Sequence, residues 1–187
     1  GTIKLPNLHT ITGSSNPSRI ISVSLDPTGT LSFPTLQATT GRVAFHIYQG
    51  GTNTLPTLQS ALGAQFYIDQ NTTLNAPLLT AIDDSTFSVG SHSTFTTVAT
   101  VYRAHNLLTN TTLFGGSFQS ALNLSSITTL DDSFDDGSPN QTIHGIGTSA
   151  GAVDLSGLQT ILGPIRPEDR FRFVATNGPI RFSSLTL

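Results

Sequence analysis

Leu55-Pro56-Thr57-Leu58-Gln59-Ser60-Ala61-Leu62-Gly63 is the stretch on which the fold turns. Its opening, apolar-Pro-x-Leu, recurs at Leu5-Pro6-Asn7-Leu8, Phe33-Pro34-Thr35-Leu36 and Ala76-Pro77-Leu78-Leu79. Versions without proline follow at Phe95-Thr96-Thr97-Val98, Leu124-Ser125-Ser126-Ile127 and Leu155-Ser156-Gly157-Leu158. Taking the last residue of each unit as an anchor, the positions three on are Ile11, Thr39, Ala61, Ile82, Val101, Leu130 and Ile161, six of the seven apolar. Five on from the anchors, Gly13, Gly41, Gly63 and Gly163 alternate with Asp84, Arg103 and Asp132. Anchors lie 22, 21 and 19 residues apart in the middle of the chain and 28, 29 and 31 apart elsewhere, so the longer circuits carry inserted loops.

A period near 20 residues suits short strands joined by tight turns. Strand alternation is visible between anchors: Val43, Phe45 and Ile47 face one way and Ala44, His46 and Tyr48 the other, with Phe66/Ile68 and Phe87/Val89 repeating the inner phase. Gly50-Gly51-Thr52-Asn53, Asn71-Thr72-Thr73 and Asn110-Thr111-Thr112 read as corners, where Gly and Asn tolerate left-handed backbone. One such unit cannot bury its own apolar side, so copies must stack. The strings Leu79-Thr80-Ala81-Ile82-Asp83-Asp84-Ser85 and Ile127-Thr128-Thr129-Leu130-Asp131-Asp132-Ser133, each preceded at the same offset by Leu-Asn, support that stacking. The expected fold is all-β: a right-handed parallel β-helix (β-solenoid) over residues 1–163, with a C-terminal cap or junction over 164–187. A β-sandwich is the competing all-β arrangement. In the cap, Asp169–Thr176, the turn Asn177-Gly178 and Pro179–Leu187 read as a hairpin, and four of the seven arginines fall beyond Ile165.

Composition agrees. The 187 residues include 29 Thr and 21 Ser but only 19 charged side chains, with Lys4 the sole lysine and Glu168 the sole glutamate. Helical surfaces draw on Lys, Glu, Ala and Arg, so an all-helical fold is excluded. A net charge of −3 without a basic run argues against nucleic acid as a partner. There is no cysteine and no apolar run of membrane-spanning length, so neither a disulfide framework nor a membrane span is expected. The start at Gly1 suggests a processed chain or a segment of a longer one with flanking domains, and the Ser/Thr-rich, Cys-free composition points to an extracellular or cell-surface location.

Leu-Pro-x-Leu-x-x-apolar-x-Gly, followed by Phe-x-Ile and a Gly or Asn-Thr corner, resembles the coil repeats of large secreted or surface proteins of bacteria with parallel β-helix folds, and is more distantly similar to receptor L-domain solenoids. The resemblance covers residues 5–163. It implies a stalk, an adhesive shaft or a carbohydrate-recognising surface, and carries no catalytic residue across.

Several side-chain groups are candidates for chemistry. Tyr48 and Tyr67 lie on the outward strand phase 19 residues apart, with Gln49, Asp69 and Gln70 beside them as hydrogen-bonding partners. Together they form a possible sugar-binding strip, against the plainer reading of cross-strand stacking. Tyr102, Arg103 and His105, with Arg42 and His46 nearby in the repeat, would be the catalytic set of a polysaccharide lyase, while Arg103 at a corner position equally reads as an altered turn. Asp132, Asp135 and Asp136 in one loop offer oxygen ligands for Ca²⁺, or are solvated turn residues. Neighbouring aspartates on a strand face opposite ways, so the pairs Asp83-Asp84, Asp131-Asp132 and Asp135-Asp136 are not in themselves acid–base pairs. Thr28-x-Thr30, Thr52-x-Thr54 and Thr94-x-Thr96 share no common offset, which counts against an ordered hydroxyl ladder. Asn71, Asn110, Asn123 and Asn140 each open an Asn-x-Ser/Thr sequon. The expected function is a non-enzymatic structural or adhesive segment whose outer face binds polysaccharide or another surface protein. The alternative is a carbohydrate-active lyase or hydrolase.

Overall fold

The computed structural model describes residues 2–14, 16, 19–25, 30–48, 51–107 and 109–183; Gln49 and Thr28 lie outside them. Strands are the only regular elements among the described residues, and they form five sheets in which every strand pairing is parallel. An antiparallel β-sandwich is therefore excluded.

The chain visits three walls in a fixed order, and each strand pairs with its counterpart one circuit later. The long wall has seven strands: Ile21–Leu25, Val43–Ile47, Gln65–Ile68, Thr86–Val89, Thr111–Gly116, Ile143–Ser149 and Arg170–Thr176. After a corner the chain enters the second wall, a six-stranded sheet of Gly51–Thr54, Thr72–Asn75, Thr94–Thr96, Ala121–Asn123, Ala152–Asp154 and Ile180–Arg181, preceded by the pair Thr2–Lys4 and Thr30–Ser32. The apolar-Pro-x-Leu unit makes the next corner. Beyond it lies the third wall, with Thr10–Thr12, Ala38–Thr40 and Ser60–Leu62 in one sheet and Val101–Arg103, Thr129–Asp131 and Thr160–Leu162 in another; the bridge Ser60–Ala81 extends the first sheet toward the second.

Stacking like on like builds the core. Val23, Phe45, Phe66, Phe87, Phe114, Ile146 and Phe173 share one inward column of the long wall. The rings of Phe45, Phe66, Phe87 and Phe114 stack at centroid separations of 5.0, 4.9 and 5.3 Å, close to the ~4.8 Å strand spacing that the ladder imposes. Opposite them the anchors Leu36, Leu58 and Leu79 are wholly buried, and the bonds Gln59 N–H to Gln37 O and Thr80 N–H to Gln59 O place them in one column.

The proline units also explain their third residue. Thr57 Oγ1 donates to Pro34 O (3.1 Å) and Leu36 O (2.9 Å) of the preceding circuit, and Thr35 does the same to Pro6 O and Leu8 O. These hydroxyls stitch adjacent corners where proline supplies no N–H. Because the site is half-open to water, Thr57→Val should cost about 1 kcal/mol, read as a lower urea midpoint; an unchanged midpoint would show the contact to be idle.

Several of the other corners use left-handed backbone. Gly41 and Gly63 have φ of 70° and 69°, and Asp84, one circuit on, has 57°. Between the long and second walls every circuit from the third onward places one non-glycine residue there: Asn71, His92, Gln119, Ala150 and Asn177. The segments read as Gly/Asn-Thr corners lie mostly inside strands, since Gly51–Thr54, Thr72–Asn75 and Thr111–Gly116 begin as soon as the chain has turned.

Two further expectations change. The segment read as a hairpin from Asp169 is instead, over its described residues to 183, another circuit: Arg170–Thr176 pairs parallel with Ile143–Ser149, and Ile180–Arg181 pairs parallel with Ala152–Asp154, so Asn177-Gly178 is a corner between walls. The fifth anchor is Ala99, fully buried, whereas Val98 is 42% exposed. That corner is one residue shorter, which moves Tyr102 into the inward column of Ile82 and Leu130 and puts Ala104, not Arg103, at the glycine position. No helix among the described residues is long and apolar enough to cross a membrane.

Candidate ligand-binding surface

The outward side chains of the long wall form three columns. The middle one runs Ser24, His46, Tyr67, Ser88, Gly115, Gly147 and Val174. On one flank stand Gln65, Thr86, Thr112, Gly145 and Arg172, and on the other Tyr48, Asp69, Gly90, Ser117, Ser149 and Thr176. Large side chains stand in the second and third circuits and again in the last, with serine, threonine and glycine between them. A shallow trough results, with Gly115, Gly145 and Gly147 in its floor, hydroxyls along both rims and a hollow of about 360 Å³. Glycine inside a strand forgoes packing and β-propensity, and commonly marks a close approach of another molecule. The glycines also make room for neighbours: a Cβ on Gly145 would stand 3.5 Å from Cγ of Arg172, whose side chain lies back across this floor.

Aromatic rings close the trough at one end. Tyr67 stacks on His46 at 4.5 Å with 9° between planes, and His46 in turn stacks on Tyr48 at 6.0 Å. Tyr48 and Tyr67 are 39% and 41% exposed. The Tyr67 hydroxyl donates to Gln65 Oε1 at 3.2 Å, fixing the ring's direction. Its other face turns toward Ser88 and Gly115, both too small to cover it. A second hollow of about 280 Å³ lies among His46, Tyr48, Tyr67, Asp69, Ser88 and Gly90 and meets the glycine trough at Ser88. The proposed strip of Tyr48, Tyr67 and Asp69 is thus brought together, with one amendment: the partner in line with Tyr67 is His46, while Tyr48 is in line with Asp69. Gln70 is exposed at the adjoining corner.

The catalytic set does not assemble. Tyr102 is 1% exposed, its hydroxyl donating to Ser85 O at 2.8 Å, and burial, reinforced by Asp84, Asp132 and Asp83, pushes its pKa well up. It is a core residue with a satisfied polar tip. Arg103 points outward on the third wall and pairs with Asp83 at 3.2 Å. His105 meets Asp131 at 3.0 Å and Ser133 Oγ at 3.4 Å, both through Nε2. A nucleophilic triad needs serine and carboxylate on opposite ring nitrogens, so this grouping is a hydrogen-bonded corner. Burial works against the Asp131 charge, but hydrogen bonds from Ser133 and His105 outweigh it and hold that carboxyl below the ordinary aspartate range.

Nor do Asp132, Asp135 and Asp136 converge. Asp132 turns inward, its Oδ1 2.6 Å from Nδ1 of the buried His144, and burial raises its pKa against the pull of that partner. Asp135 faces solvent opposite Arg166, and Asp136 accepts from Ser138 N–H and the Thr142 hydroxyl. Among the described residues no cluster of three potential metal ligands forms. The second wall holds a surprise of register: Thr52 pairs with Thr73 and Thr73 with Thr94, Thr54 with Asn75 and Asn75 with Thr96, so the Thr-x-Thr motifs align through Thr73-x-Asn75.

His46, the glycine floor and Arg172 are the parts of this surface that sequence reasoning left out of the strip. The signal was present in His144-Gly145-Ile146-Gly147, where glycine takes two successive outward positions of a strand. Comparison with protein families, with characterised proteins and with solved structures finds no match for this chain.

Proposed function

We propose that this chain is a right-handed parallel β-solenoid segment of an extracellular or cell-surface protein, and that the long wall binds polysaccharide without transforming it. Support for the solenoid comes from the pairing of each strand with the next circuit through three walls, and the right-handed sense from the near-universal handedness of parallel crossovers. Binding rests on one observation above the rest: an aromatic face left bare at the end of a glycine-floored trough. From Tyr67 to Val174 the trough spans four strand steps, roughly 19 Å, room for several sugar units. A sugar ring standing over Ser88 and Gly115 would lay its C–H face on Tyr67 and its hydroxyls against the Ser/Thr rims, as apolar-bodied, polar-edged ligands require. Asp69 and Gln70 are placed to accept and donate at the aromatic end. The rigid stack holds these groups without further ordering cost, which favours affinity.

Affinity electrophoresis through a panel of neutral and acidic polysaccharides tests the reading. At least one polymer should retard the chain, and Tyr67→Ala should weaken that retardation about tenfold or more, the loss of a central aromatic contact being worth ~2 kcal/mol. Retention of full binding by Tyr67→Ala, or no retardation by any polymer, would end the proposal.

A further inference from the structure

The charge around the trough is uneven, and it narrows the class of ligand. Of the arginines whose side-chain partners are known, Arg103 and Arg166 are engaged by carboxylates and Arg170 donates to Pro167 O and Asp169 O. Arg172, which lines the trough, and Arg42, which lines a hollow beside it, have no ion pair among the described residues, and Nε of Arg42 is buried without a hydrogen-bond partner. Arg172 also reaches the adjoining hollow against Asn110 and Thr112. The glycine trough and the hollows that Asn110 shares with Arg172 and with Arg42 carry no aspartate or glutamate in their linings, while a further hollow beside Arg42, Gln65 and Thr86 is lined by Asp84. The carboxylates of this surface lie outside the trough and the two Asn110 hollows, Asp69 at the aromatic end and Asp84 beyond the corner, where it accepts from Asn106.

This pattern is unexpected in a chain of net charge −3 with eleven acidic residues. Guanidinium groups without partners at a polar surface are free to make charge-assisted, bidentate bonds to planar or tetrahedral anions. Arg42 lies just before Val43–Ile47, one strand short of Tyr67, and Arg172 lies on Arg170–Thr176, five strand steps or about 24 Å away, so each would meet a different unit of one extended chain.

We infer that the polysaccharide held by the long wall is anionic, bearing carboxylate or sulfate groups that Arg42 and Arg172 bind. The inference rests on the glycan-binding reading above and deepens it. Matched polymers differing only in charge provide the test: polygalacturonate against its fully methyl-esterified form, and dextran sulfate against dextran. The chain should prefer the charged member of at least one pair by about tenfold or more at low salt, and the preference should shrink as added salt screens the contact. The pair in which it appears tells carboxylate from sulfate. Arg172→Gln and Arg42→Gln should each move that ratio toward one, while Arg103→Gln, on the third wall, should keep it. Equal binding within both pairs, or a preference untouched by both Arg172→Gln and Arg42→Gln, overturns the inference. Equal binding that Tyr67→Ala still abolishes overturns the charge assignment alone, whereas no binding to any of the four polymers, with none retarding the chain in the wider panel, removes the glycan reading as well.

Discussion

Phe87→Ala should be the most damaging single truncation in this chain. The Phe87 ring lies between Phe66 and Phe114 at 4.9 and 5.3 Å and touches Phe95 of the second wall at 4.5 Å. Its loss removes apolar contact from the circuits on both sides and from the wall opposite, at a cost of about 3–5 kcal/mol. For a chain of this length that corresponds to a fall in Tm of about 6–20 °C. Neighbouring Ser88, on the outer face of the same strand, should tolerate alanine within about 0.5 kcal/mol. The two variants compared by thermal or urea unfolding decide the matter: a Phe87→Ala loss below about 1 kcal/mol would mean that the ring column is not what binds the circuits together. In a stack that coheres through nearest-neighbour contacts, hydrogen exchange should also rise on both sides of the lesion rather than at one end.

Asp132→Ala is expected to come next. The Asp132 and His144 side chains are 2% and 0% exposed, and the aspartate supplies the only hydrogen-bond partner of the imidazole, leaving Asp132 Oδ2 and His144 Nε2 unpaired among the described residues. Breaking a buried pair by removing one member costs about 3–5 kcal/mol. Replacing both by apolar groups of similar volume, Asp132→Leu with His144→Phe, should recover most of that, since Phe134 already packs against the His144 ring at 4.4 Å. A double variant no better than the single one would refute this account. The pair also sets a pH dependence. Burial raises the Asp132 pKa in the folded chain, so from about 3.9 upward the folded state binds more protons than the unfolded. That contribution is complete below the unfolded value and is lost as pH climbs through the folded one. Asp132→Asn has no such loss, so its Tm relative to the parent should increase with pH across that window. A constant difference would show that Asp132 does not titrate anomalously.

The parts of this fold that could be read from sequence are those fixed by a residue type at a constant offset. Leu36, Leu58 and Leu79 follow proline at one spacing, and they are buried in one column because proline and the Thr35/Thr57 hydroxyl bonds hold those corners to a constant length. Where proline is missing, length is free to vary. The corner at Thr97-Val98-Ala99 drops one residue, and a unit begun at Phe95, which pairs with Leu74 rather than standing level with Ala76, then assigns Val98 and Val101 inward, Tyr102 outward and Arg103 to the glycine position. In strands a shift of one reverses every side, so a core tyrosine took on the look of a catalytic one. The C-terminal error has a related source: Asn177-Gly178 has hairpin chemistry, but a left-handed residue serves equally well at a corner between parallel walls, and only strand pairing distinguishes them. For the candidate surface, the aromatics stood out because tyrosine is rare here. The trough did not, because its defining residues have no side chain and come from separate circuits.

A surface assembled from separate circuits can change over time by whole circuits. Each circuit contributes one graduation, about 4.8 Å, to the face on which Tyr67, Gly115, Gly147 and Arg172 lie. Duplication or loss of a whole repeat would therefore lengthen or shorten the groove by one step while leaving the chemistry of the remaining marks intact. The molecule would act as a ruler whose reach is written in its copy number.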